Sequence, residues 1–590
     1  MDHQYRFGPF YVDTRERLLL REGEHITLKQ KAVDVLLILL RESPRIVEKE
    51  QFMSEVWRDA FVEEGSLTVS VSEIRKALGV GPEGRQYIET IPRRGYRFTP
   101  EPWRSPLEAE GPPATVRASA AEAPPARSTA RAVAVLPFAN LSSDGALDYL
   151  ADGFADSIIN SLSRLSGLRV KASGSSFRYR GIDVDCQLVG RDLGVGAVVS
   201  GRILQLRDRL VVRVALVDAT DGAQLWGEQY DRKPSDLLEV QGEIAGEVAG
   251  QLQLRLTGEE QHRLAKLSTE SVEAYRAYLK GRSFWSKRPQ PGFLKGIEYF
   301  RRAIEFDPGY ALAYSGLADA YGVLGSWEVG MLPPREAAAK ARAAAIRALE
   351  IDDQLAEAHT SLAHINLHYD WDWTVAEGAF KRALELSPSY VHAHHWYSHL
   401  CVATGRTEQG YAAGLRALEL DPLDLIINVH MAWHHWLTRE PALALEQCAR
   451  GRELEPASPW WHLFGGLAYE QKEMYAEAIE ELRRAAELSD ATKIALAGLG
   501  HAAGLALERD EAERVLSELE RLSGSKYVPA YDRAVAHLGL GDTGKALEYL
   551  TRACDERSSW MPYLNVEPRL DPLRSDPRFQ ELVRRVGLPQ

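Results

Sequence analysis

The chain has 590 residues, of which 45% are hydrophobic and 26% are charged, so it is neither collagen-like nor globally disordered. Domains hold about 100–200 residues each, so this length predicts three or more folded units. The four cysteines, Cys186, Cys401, Cys448 and Cys554, lie far apart, which argues against a disulfide scaffold or a zinc finger. The sequence contains no apolar run near the roughly 20 residues of a membrane helix and no secretory signal pattern, so we expect a cytoplasmic protein without a membrane anchor.

The formal net charge of −13 is unevenly distributed. Residues 1–100 contain 16 Lys and Arg against 16 Asp and Glu, so the rest of the chain carries the whole negative excess. A neutral domain binds DNA when its basic side chains cluster on one face. The net charge therefore does not exclude a DNA-binding domain at the N-terminus.

Residues 1–100 are predicted to form an α+β domain that starts with short strands. The hydrophobic spacing then predicts three helices: Thr27–Arg41, Lys49–Trp57 and Gly65–Leu78. Tyr87–Phe98 has the pattern of a β-hairpin with Arg93 and Arg94 at its tip. Three helices followed by a hairpin are typical of a winged helix-turn-helix.

Two segments of this domain, SLTVSVSEIRKALG and YIETIPRRGYRF, resemble the OmpR/PhoB-type output domain in the branch of CadC- and ToxR-like bacterial regulators. The resemblance covers nearly all of residues 1–100. It implies that the third helix enters the major groove of double-stranded DNA and that the hairpin touches the minor groove.

The helix wheel of the third helix supports this docking independently. Its apolar residues share the side that would face the core: Leu67, Val71, Ile74 and Leu78. Residues on the opposite side are predicted to read bases: Thr68, Val69, Ser72 and Glu73. Glu73 stands where many relatives carry a basic residue. Basic residues of the helix and the hairpin are predicted to contact phosphates or the minor groove: Arg75, Lys76, Arg93 and Arg94.

Residues 101–130 are predicted to form a flexible linker, because they contain six prolines and eight alanines but almost no large aliphatic side chains. Residues 131–257 alternate strand and helix patterns, which predicts an α/β domain. Near its end, three strands are predicted to follow one another through tight turns, with Asp221–Gly222 as a hairpin signal.

The segments AVLPFANLSSDGALDYLADGFADSIINSLSRLSGLRV and GRILQLRDRLVVRVALVDATDGAQLWGEQYDR resemble the TolB-like N-terminal domain. Such domains precede tetratricopeptide arrays in bacterial regulators, cyclases and kinases. The resemblance implies a fold and a sensory or coupling role in signal transduction, and it assigns no ligand. We find no catalytic sequence motif in the chain, so we expect neither enzymatic activity nor a cofactor.

The C-terminal half repeats with a period of 34 residues, which is shown by five leucines: Leu386, Leu420, Leu454, Leu488 and Leu522. This period, with two amphipathic helices and a closing proline per unit, is the signature of the tetratricopeptide repeat. It predicts an all-α solenoid of about eight repeats over residues 271–556, followed by a C-terminal cap over 557–590.

Eleven of the sixteen histidines lie between His359 and His462, and several are spaced by four residues on one helix face. The repeat phase predicts that five side chains look into the concave groove: His368, His392, His395, His399 and Trp433. Ordinary helix packing, a peptide or small-molecule groove and a metal site all remain open for them. Because a neutral histidine can pack at a helix interface without binding anything, ordinary packing is the main interpretation and we predict no metal site.

These features predict a cytoplasmic, sequence-specific transcriptional regulator that docks on DNA as two copies on neighbouring half-sites. The TolB-like and tetratricopeptide region is expected to sense or bind a protein or peptide partner through its groove. The main alternative is a protein-interaction scaffold in which the winged helix is a docking module. A ligand sensor without a DNA output is a third interpretation.

Overall fold

The computed structural model of the chain describes residues 3–7, 10–13, 18–21, 24–26, 30–43, 45–56, 65–78, 87–91, 94–98, 103–106, 132–142, 147–181, 184–206, 209–252, 254, 256–265, 268–286, 290–488 and 493–589, some of them by their backbone alone. The chain divides into two units, residues 1–125 and residues 126–590. Among the described residues, no helix combines the length and the apolar character that crossing a membrane requires.

The N-terminal unit combines two antiparallel sheets with three helices. Its elements are β1 His3–Phe7, β2 Phe10–Asp13, β3 Leu18–Arg21, β4 Glu24–His25, α1 Gln30–Glu42, β5 Ile46–Glu48, α2 Lys49–Val56, α3 Gly65–Leu78, β6 Ile88–Ile91, β7 Gly95–Phe98 and β8 Trp103–Pro106. The first sheet has the order β4-β3-β2-β1-β8 and the second the order β5-β7-β6. The order of helices and hairpin is that of a winged helix.

Strand β8 lies inside the segment predicted to be linker. Its residues pair with β1 in antiparallel register, for example Tyr5 with Arg104. This pairing provides hydrogen-bond partners for backbone N–H and C=O groups along the outer edge of β1. The folded unit therefore continues past residue 100. The remainder of the predicted linker, residues 107–130, lies outside the described residues.

The second unit begins with an α/β region around one six-stranded sheet. Its elements are β9 Ala132–Val135, β10 Ala139–Asn140, α4 Asp148–Ser163, β11 Arg169–Val170, α5 Ser173–Ser176, α6 Cys186–Leu193, β12 Ala197–Leu206, β13 Arg209–Asp218, β14 Gln224–Arg232, α7 Leu237–Gln251 and α8 Gly258–Ala265. The sheet order is β11-β9-β12-β13-β14, with β10 paired to β12. The last three strands are antiparallel, and Gly222 supplies the positive φ of +78° that the hairpin turn between β13 and β14 requires.

The repeat region consists of antiparallel helix pairs, each packed on the next. Its helices are α9 Val272–Ser286, α10 Gln290–Phe306, α11 Ala311–Leu324, α12 Pro334–Ile351, α13 Ala356–Ile365, α14 Trp373–Leu386, α15 Val391–Ala403, α16 Thr407–Leu420, α17 Leu425–Leu437, α18 Pro441–Leu454, α19 Pro459–Gln471, α20 Tyr475–Leu488, α21 Lys493–Leu505, α22 Arg509–Ser523, α23 Ala530–Gly539 and α24 Thr543–Glu556. A π-helical turn, Asn366–Asp370, extends α13. Small residues bring paired helices together, since a Cβ on Gly410 would lie 2.8 Å from the Val402 side chain.

The α/β region and the first repeats share one apolar core, which runs from Val133 and Phe154 to Tyr310 and Tyr369. Polar contacts continue the junction: Ser389 Oγ donates to the Leu168 carbonyl at 3.1 Å. The structure therefore joins two segments that the sequence predicted as separate folded units. The physical reason is that repeat residues supply the apolar cover and hydrogen-bond partners that the end of α4 and strand β11 lack by themselves.

Asp421 lies buried in this junction, with only 4% of its surface exposed. Its carboxyl group accepts a hydrogen bond from the Ser175 hydroxyl, and a Cβ on Gly174 would overlap it. Burial raises the pKa of Asp421 from an ordinary value of 3.8 to about 8. The group is therefore protonated in the folded chain at pH values where it is ionised in the unfolded chain.

We expect this carboxyl group to make the chain less stable as the pH rises from about 4 to about 8. In this range the unfolded chain releases the Asp421 proton readily whereas the folded chain retains it, so rising pH favours the unfolded state. The neutral substitution Asp421→Asn is expected to flatten that decline. Thermal unfolding of the full-length chain across this pH range measures it. Asp510→Asn, on an exposed helix start, is the matched control, and an Asp421→Asn profile parallel to the wild type would contradict the assignment.

The chain turns back into the repeat region after α24. Two 3₁₀ turns, Met561–Tyr563 and Pro568–Leu573, precede the final helix α25, Pro577–Val586. Trp560 and Tyr563 are at most 1% exposed, and Trp560 lies 5.0 Å from Trp327, ring centre to ring centre. The first residues of the segment predicted as a C-terminal cap thus lie buried inside the solenoid. Within this segment, α25 alone has the position of a terminal helix.

Candidate functional site

Helix α3 carries the surface predicted to enter DNA. Its apolar stripe, represented by Leu67 and Ile74, is at most 1% exposed and packs in the core that also contains Val35 of α1. Lys76 is exposed on the same helix. The residues predicted to read bases lie within α3, but their side chains are outside the described residues: Thr68, Val69, Ser72 and Glu73. Their contacts with bases stay a prediction.

Arg75 makes hydrogen bonds within its own domain, and its predicted contact with phosphate stays a prediction. Its Nη2 donates to the Ile88 carbonyl at 2.8 Å and to the Thr90 hydroxyl at 2.7 Å. Its Nε donates to the same carbonyl at 3.1 Å. The guanidinium therefore fastens α3 to strand β6 of the hairpin. The partly buried Ile88 carbonyl therefore accepts hydrogen bonds from a charged donor, and such hydrogen bonds are stronger than those from a neutral donor.

Replacing Arg75 by alanine is expected to destabilise the α3–hairpin contact by about 1–3 kcal/mol, because it removes charged hydrogen bonds to a partly buried carbonyl. Hydrogen exchange of the β6 and β7 amides in the full-length chain measures this loss. Lys76→Ala, on the exposed neighbour, is the matched control and should leave exchange unchanged. Equal exchange in Arg75→Ala and the wild type would show that Arg75 has no structural role.

The hairpin presents the basic side chain of Arg94 near its tip. Arg94 is 62% exposed and approaches Glu48 only to 3.9 Å, which leaves it accessible to an anion in solution. Arg93 is outside the described residues. A Cβ on Gly95 would overlap the Val47 carbonyl oxygen, so glycine is required where β7 meets β5. Arg94 thus directly precedes a strand of the second sheet.

Residues 23–98 match the family described as "Transcriptional regulatory protein, C terminal". The N-terminal domain is thus similar to the output domain of OmpR/PhoB-type transcriptional regulators. Residues 461–492, which span α19 and α20, match the tetratricopeptide repeat. The resemblances predicted for these two parts of the chain are therefore confirmed.

Three curated proteins illustrate how much of the chain has known relatives. The chain is 35% identical over 199 residues to putative adenylate cyclase 3 of Rhizobium meliloti (strain 1021), across 34% of each protein. It is 25% identical over 420 residues to transcriptional regulator HilA of Salmonella typhi, across 70% of each. It is 31% identical over 107 residues to transcriptional activator CadC of Escherichia coli K12, across 18% of this chain and 21% of CadC. The chain thus spans about a third of the length of the cyclase and a fifth of CadC.

Four of the five side chains predicted to line the repeat groove are buried: His368, His395, His399 and Trp433. The fifth, His392, is half-buried next to Tyr390. Trp327, from the connection between α11 and α12, and Tyr563 lie against the Trp433 ring. These positions do not form an open groove, because segments remote in sequence fill the space in front of them.

The buried histidines form one connected cluster with polar partners, hereafter the histidine cluster. His430 Nδ1 lies 2.7 Å from His395 Nε2 and 3.0 Å from His399 Nε2. On the other side of its ring, His430 Nε2 faces Glu328 Oε1 at 3.3 Å, a charge contact rather than an aligned hydrogen bond. Tyr563 connects the cluster to His368, since its hydroxyl lies 3.2 Å from His368 Nε2.

Burial sets the charge state of this cluster. It lowers the pKa of His399 well below its ordinary value and that of His368 to about 4. Burial alone would raise the pKa of Glu328, but its contact with His430 and the hydrogen bond from the Ser326 hydroxyl lower it to about 2. At neutral pH, His368 and His399 are therefore neutral while Glu328 is a carboxylate.

Sequence reasoning missed two members of the histidine cluster, Glu328 and Tyr563. Glu328 lies in an insertion between repeats, and Tyr563 lies in the segment predicted as a cap. No sequence pattern around Glu328 or Tyr563 indicates a contact with the histidines, because these contacts join positions that are far apart in the sequence. His430 stood out by its spacing of four residues from His434, but the repeat phase did not place it in the predicted groove.

Proposed function

We propose that the chain is a sequence-specific DNA-binding transcriptional regulator that works in the cytoplasm, where α3 reads the major groove and the hairpin contacts the adjacent backbone. The observation that carries this proposal is the OmpR/PhoB-type match over residues 23–98. The described side chains support it, because α3 buries its apolar stripe while Lys76 and Arg94 stay exposed. Two copies on neighbouring half-sites would follow the usual geometry of such domains.

We further infer that residues 126–590 sense or bind a protein or peptide partner, with the α/β region as a TolB-like coupling domain. Support comes from the core that the α/β region shares with the first repeats, since a shared core transmits a rearrangement of either part to the other. Because Trp327 and Trp560 fill the predicted groove, a partner would bind the outer repeat surface or displace these segments.

Mapping the DNA sites that the full-length protein occupies across its own genome tests the proposal. We expect discrete sites with a shared sequence. Glu73→Gln and Ser72→Ala, on the face of α3 predicted to read bases, should each change the preferred base at a single position of the site. Each substitution removes or weakens one hydrogen bond between a side chain and the edge of a base. Ser517→Ala on the exposed helix α22 is the control and should change neither site positions nor sequence.

The main alternative is an interaction scaffold whose winged helix docks a protein. It predicts no discrete sites, or sites that the variants of α3 leave unchanged. The similarity to a putative adenylate cyclase adds a second check, an assay of the purified chain for cyclic AMP formation from ATP. We expect no product, and measurable turnover would overturn the proposal that the chain is not an enzyme.

A further inference from the structure

Three ring nitrogens of the histidine cluster converge on one point inside the repeat region. We propose that His395, His399 and His430 form a site for a divalent transition metal ion with the ligand preferences of Zn²⁺. The three side chains each offer one nitrogen, and these atoms all lie within 4.8 Å of one another. His395 and His399 come from α15, and His430 comes from the next repeat, on α17.

The proton positions on His430 leave a lone pair at this point. The Glu328 carboxylate faces His430 Nε2 at 3.3 Å and can only accept. This charge favours the tautomer that carries its proton on Nε2. The Nδ1 atom then bears a lone pair, which points at His395 Nε2 and His399 Nε2.

A second lone pair follows from the chain of contacts through Tyr563. The His364 carbonyl lies 3.1 Å from His368 Nδ1 and can only accept, so the N–H at Nδ1 donates a hydrogen bond to it. His368 Nε2 therefore accepts a hydrogen bond from the Tyr563 hydroxyl. The same hydroxyl oxygen lies 3.3 Å from His399 Nδ1 and accepts a hydrogen bond from the N–H at that atom. His399 is thus left with its lone pair on Nε2.

Two lone pairs, on His399 Nε2 and His430 Nδ1, consequently face each other at 3.0 Å in a site away from water. A proton on His395 Nε2 can satisfy only one of them. A buried acceptor without a donor destabilises the fold, because it loses its hydrogen bonds to water and gains none in return. One cation coordinated by all three nitrogens removes this conflict, because each lone pair then has a partner.

The chemistry of the site selects the class of ion. Neutral imidazoles suit Zn²⁺, Cu²⁺ and Ni²⁺, whereas Mg²⁺ and Ca²⁺ require oxygen ligands. Zn–N bonds of about 2.0–2.1 Å place tetrahedral ligands about 3.3 Å apart. The two nitrogen pairs that include His430 Nδ1 lie at 2.7 and 3.0 Å, so each of them needs to widen by only a few tenths of an ångström. Glu328 behind His430 is the outer carboxylate that commonly orients a metal-bound histidine.

The position of the site indicates what the ion would do. It lies where α15, α17, the Glu328 insertion and the Tyr563 segment meet, so coordination links two repeats and fixes the segments that fill the groove. Binding would stabilise the folded repeats, since a site assembled only by folding contributes its binding energy to the folded state. This inference is independent of the proposed DNA-binding function.

The test uses untagged full-length protein produced in minimal medium with added Co²⁺, so that the chain folds in the presence of the ion. We expect about one ion per chain and the visible absorption of low-coordinate, nitrogen-ligated cobalt. His399→Gln and His430→Asn should each reduce bound metal at least about tenfold, a range typical of removing a metal-binding partner. His501→Gln, another buried histidine beside a carboxylate, should retain the full ion.

A second measurement keeps the proposal falsifiable if a variant does not fold. X-ray absorption of the zinc-loaded wild type should show nitrogen ligands at about 2.0–2.1 Å and no sulfur ligand. A wild-type protein purified without appreciable metal would overturn the site. Full metal content in folded His399→Gln, or a first shell dominated by sulfur or oxygen, would overturn it equally.

Discussion

Replacing Trp560 by alanine is expected to lower the free energy of unfolding of the repeat region by about 3–5 kcal/mol, the range for a large aromatic side chain removed from a packed core. Trp560 is 1% exposed. It stacks on Tyr531, with ring centres 5.3 Å apart and planes 9° from parallel, and it contacts Trp327. Its removal leaves a cavity between segments that are far apart in sequence, and such a site cannot close by a local shift.

Urea unfolding of the full-length chain, followed by circular dichroism, measures this effect. We also expect faster hydrogen exchange in α15 and α17, because Trp560 belongs to the segment that covers their inner face. Leu507→Ala, at a side chain 88% exposed, is the control and should change stability by less than about 0.5 kcal/mol. If Trp560→Ala unfolds at the wild-type urea concentration, the C-terminal segment does not close the groove in solution.

Replacing Arg93 and Arg94 together by alanine is expected to weaken binding to a specific DNA site about 10–100-fold, because two exposed phosphate contacts worth about 1 kcal/mol each are lost and about 1.4 kcal/mol is a factor of ten. The slope of log affinity against log salt should become shallower by about two, since each lost phosphate contact releases about one counterion fewer. Titration of a bound promoter fragment with full-length protein at several salt concentrations measures both quantities.

The matched control removes two equally accessible arginines from the repeats. Arg509 and Arg514 on α22 are 74% and 75% exposed, so Arg509→Ala/Arg514→Ala produces the same change in net charge. We expect it to preserve both affinity and salt slope. A loss of affinity with an unchanged slope in the Arg93/Arg94 variant would mean that the hairpin recognises something other than phosphate, as the scaffold alternative requires.

Local sequence pattern was sufficient to predict the elements of the proposed DNA-binding surface. Helix α3 spans the predicted Gly65–Leu78, and its apolar stripe is buried as the helix wheel requires. The hairpin and the 34-residue repeat also follow from spacing along the chain. These features depend on which side chains share a face over a few turns, a property that the sequence displays directly.

Contacts between distant positions were beyond the reach of that reasoning. The helix wheel placed Arg75 on the flank of the DNA face, but the guanidinium is engaged by the Ile88 carbonyl, thirteen residues away in another element. Repeat phase placed His399 in an open groove, but Tyr563 reaches it across 164 positions of sequence. A periodic pattern contains no information about which remote segment occupies the space in front of it.

The sequence by itself therefore determined the winged helix, the α/β region and the repeating helix pairs, because periodicity, turn residues and composition decide local structure before any long-range contact forms. The tertiary structure alone decided that the α/β region and the repeats share one core. It also decided that Trp327 and Trp560 close the groove and that Glu328 and Tyr563 arrange the histidines. Those outcomes depend on burying apolar surface and pairing polar groups between segments hundreds of residues apart, which only the folded chain brings together.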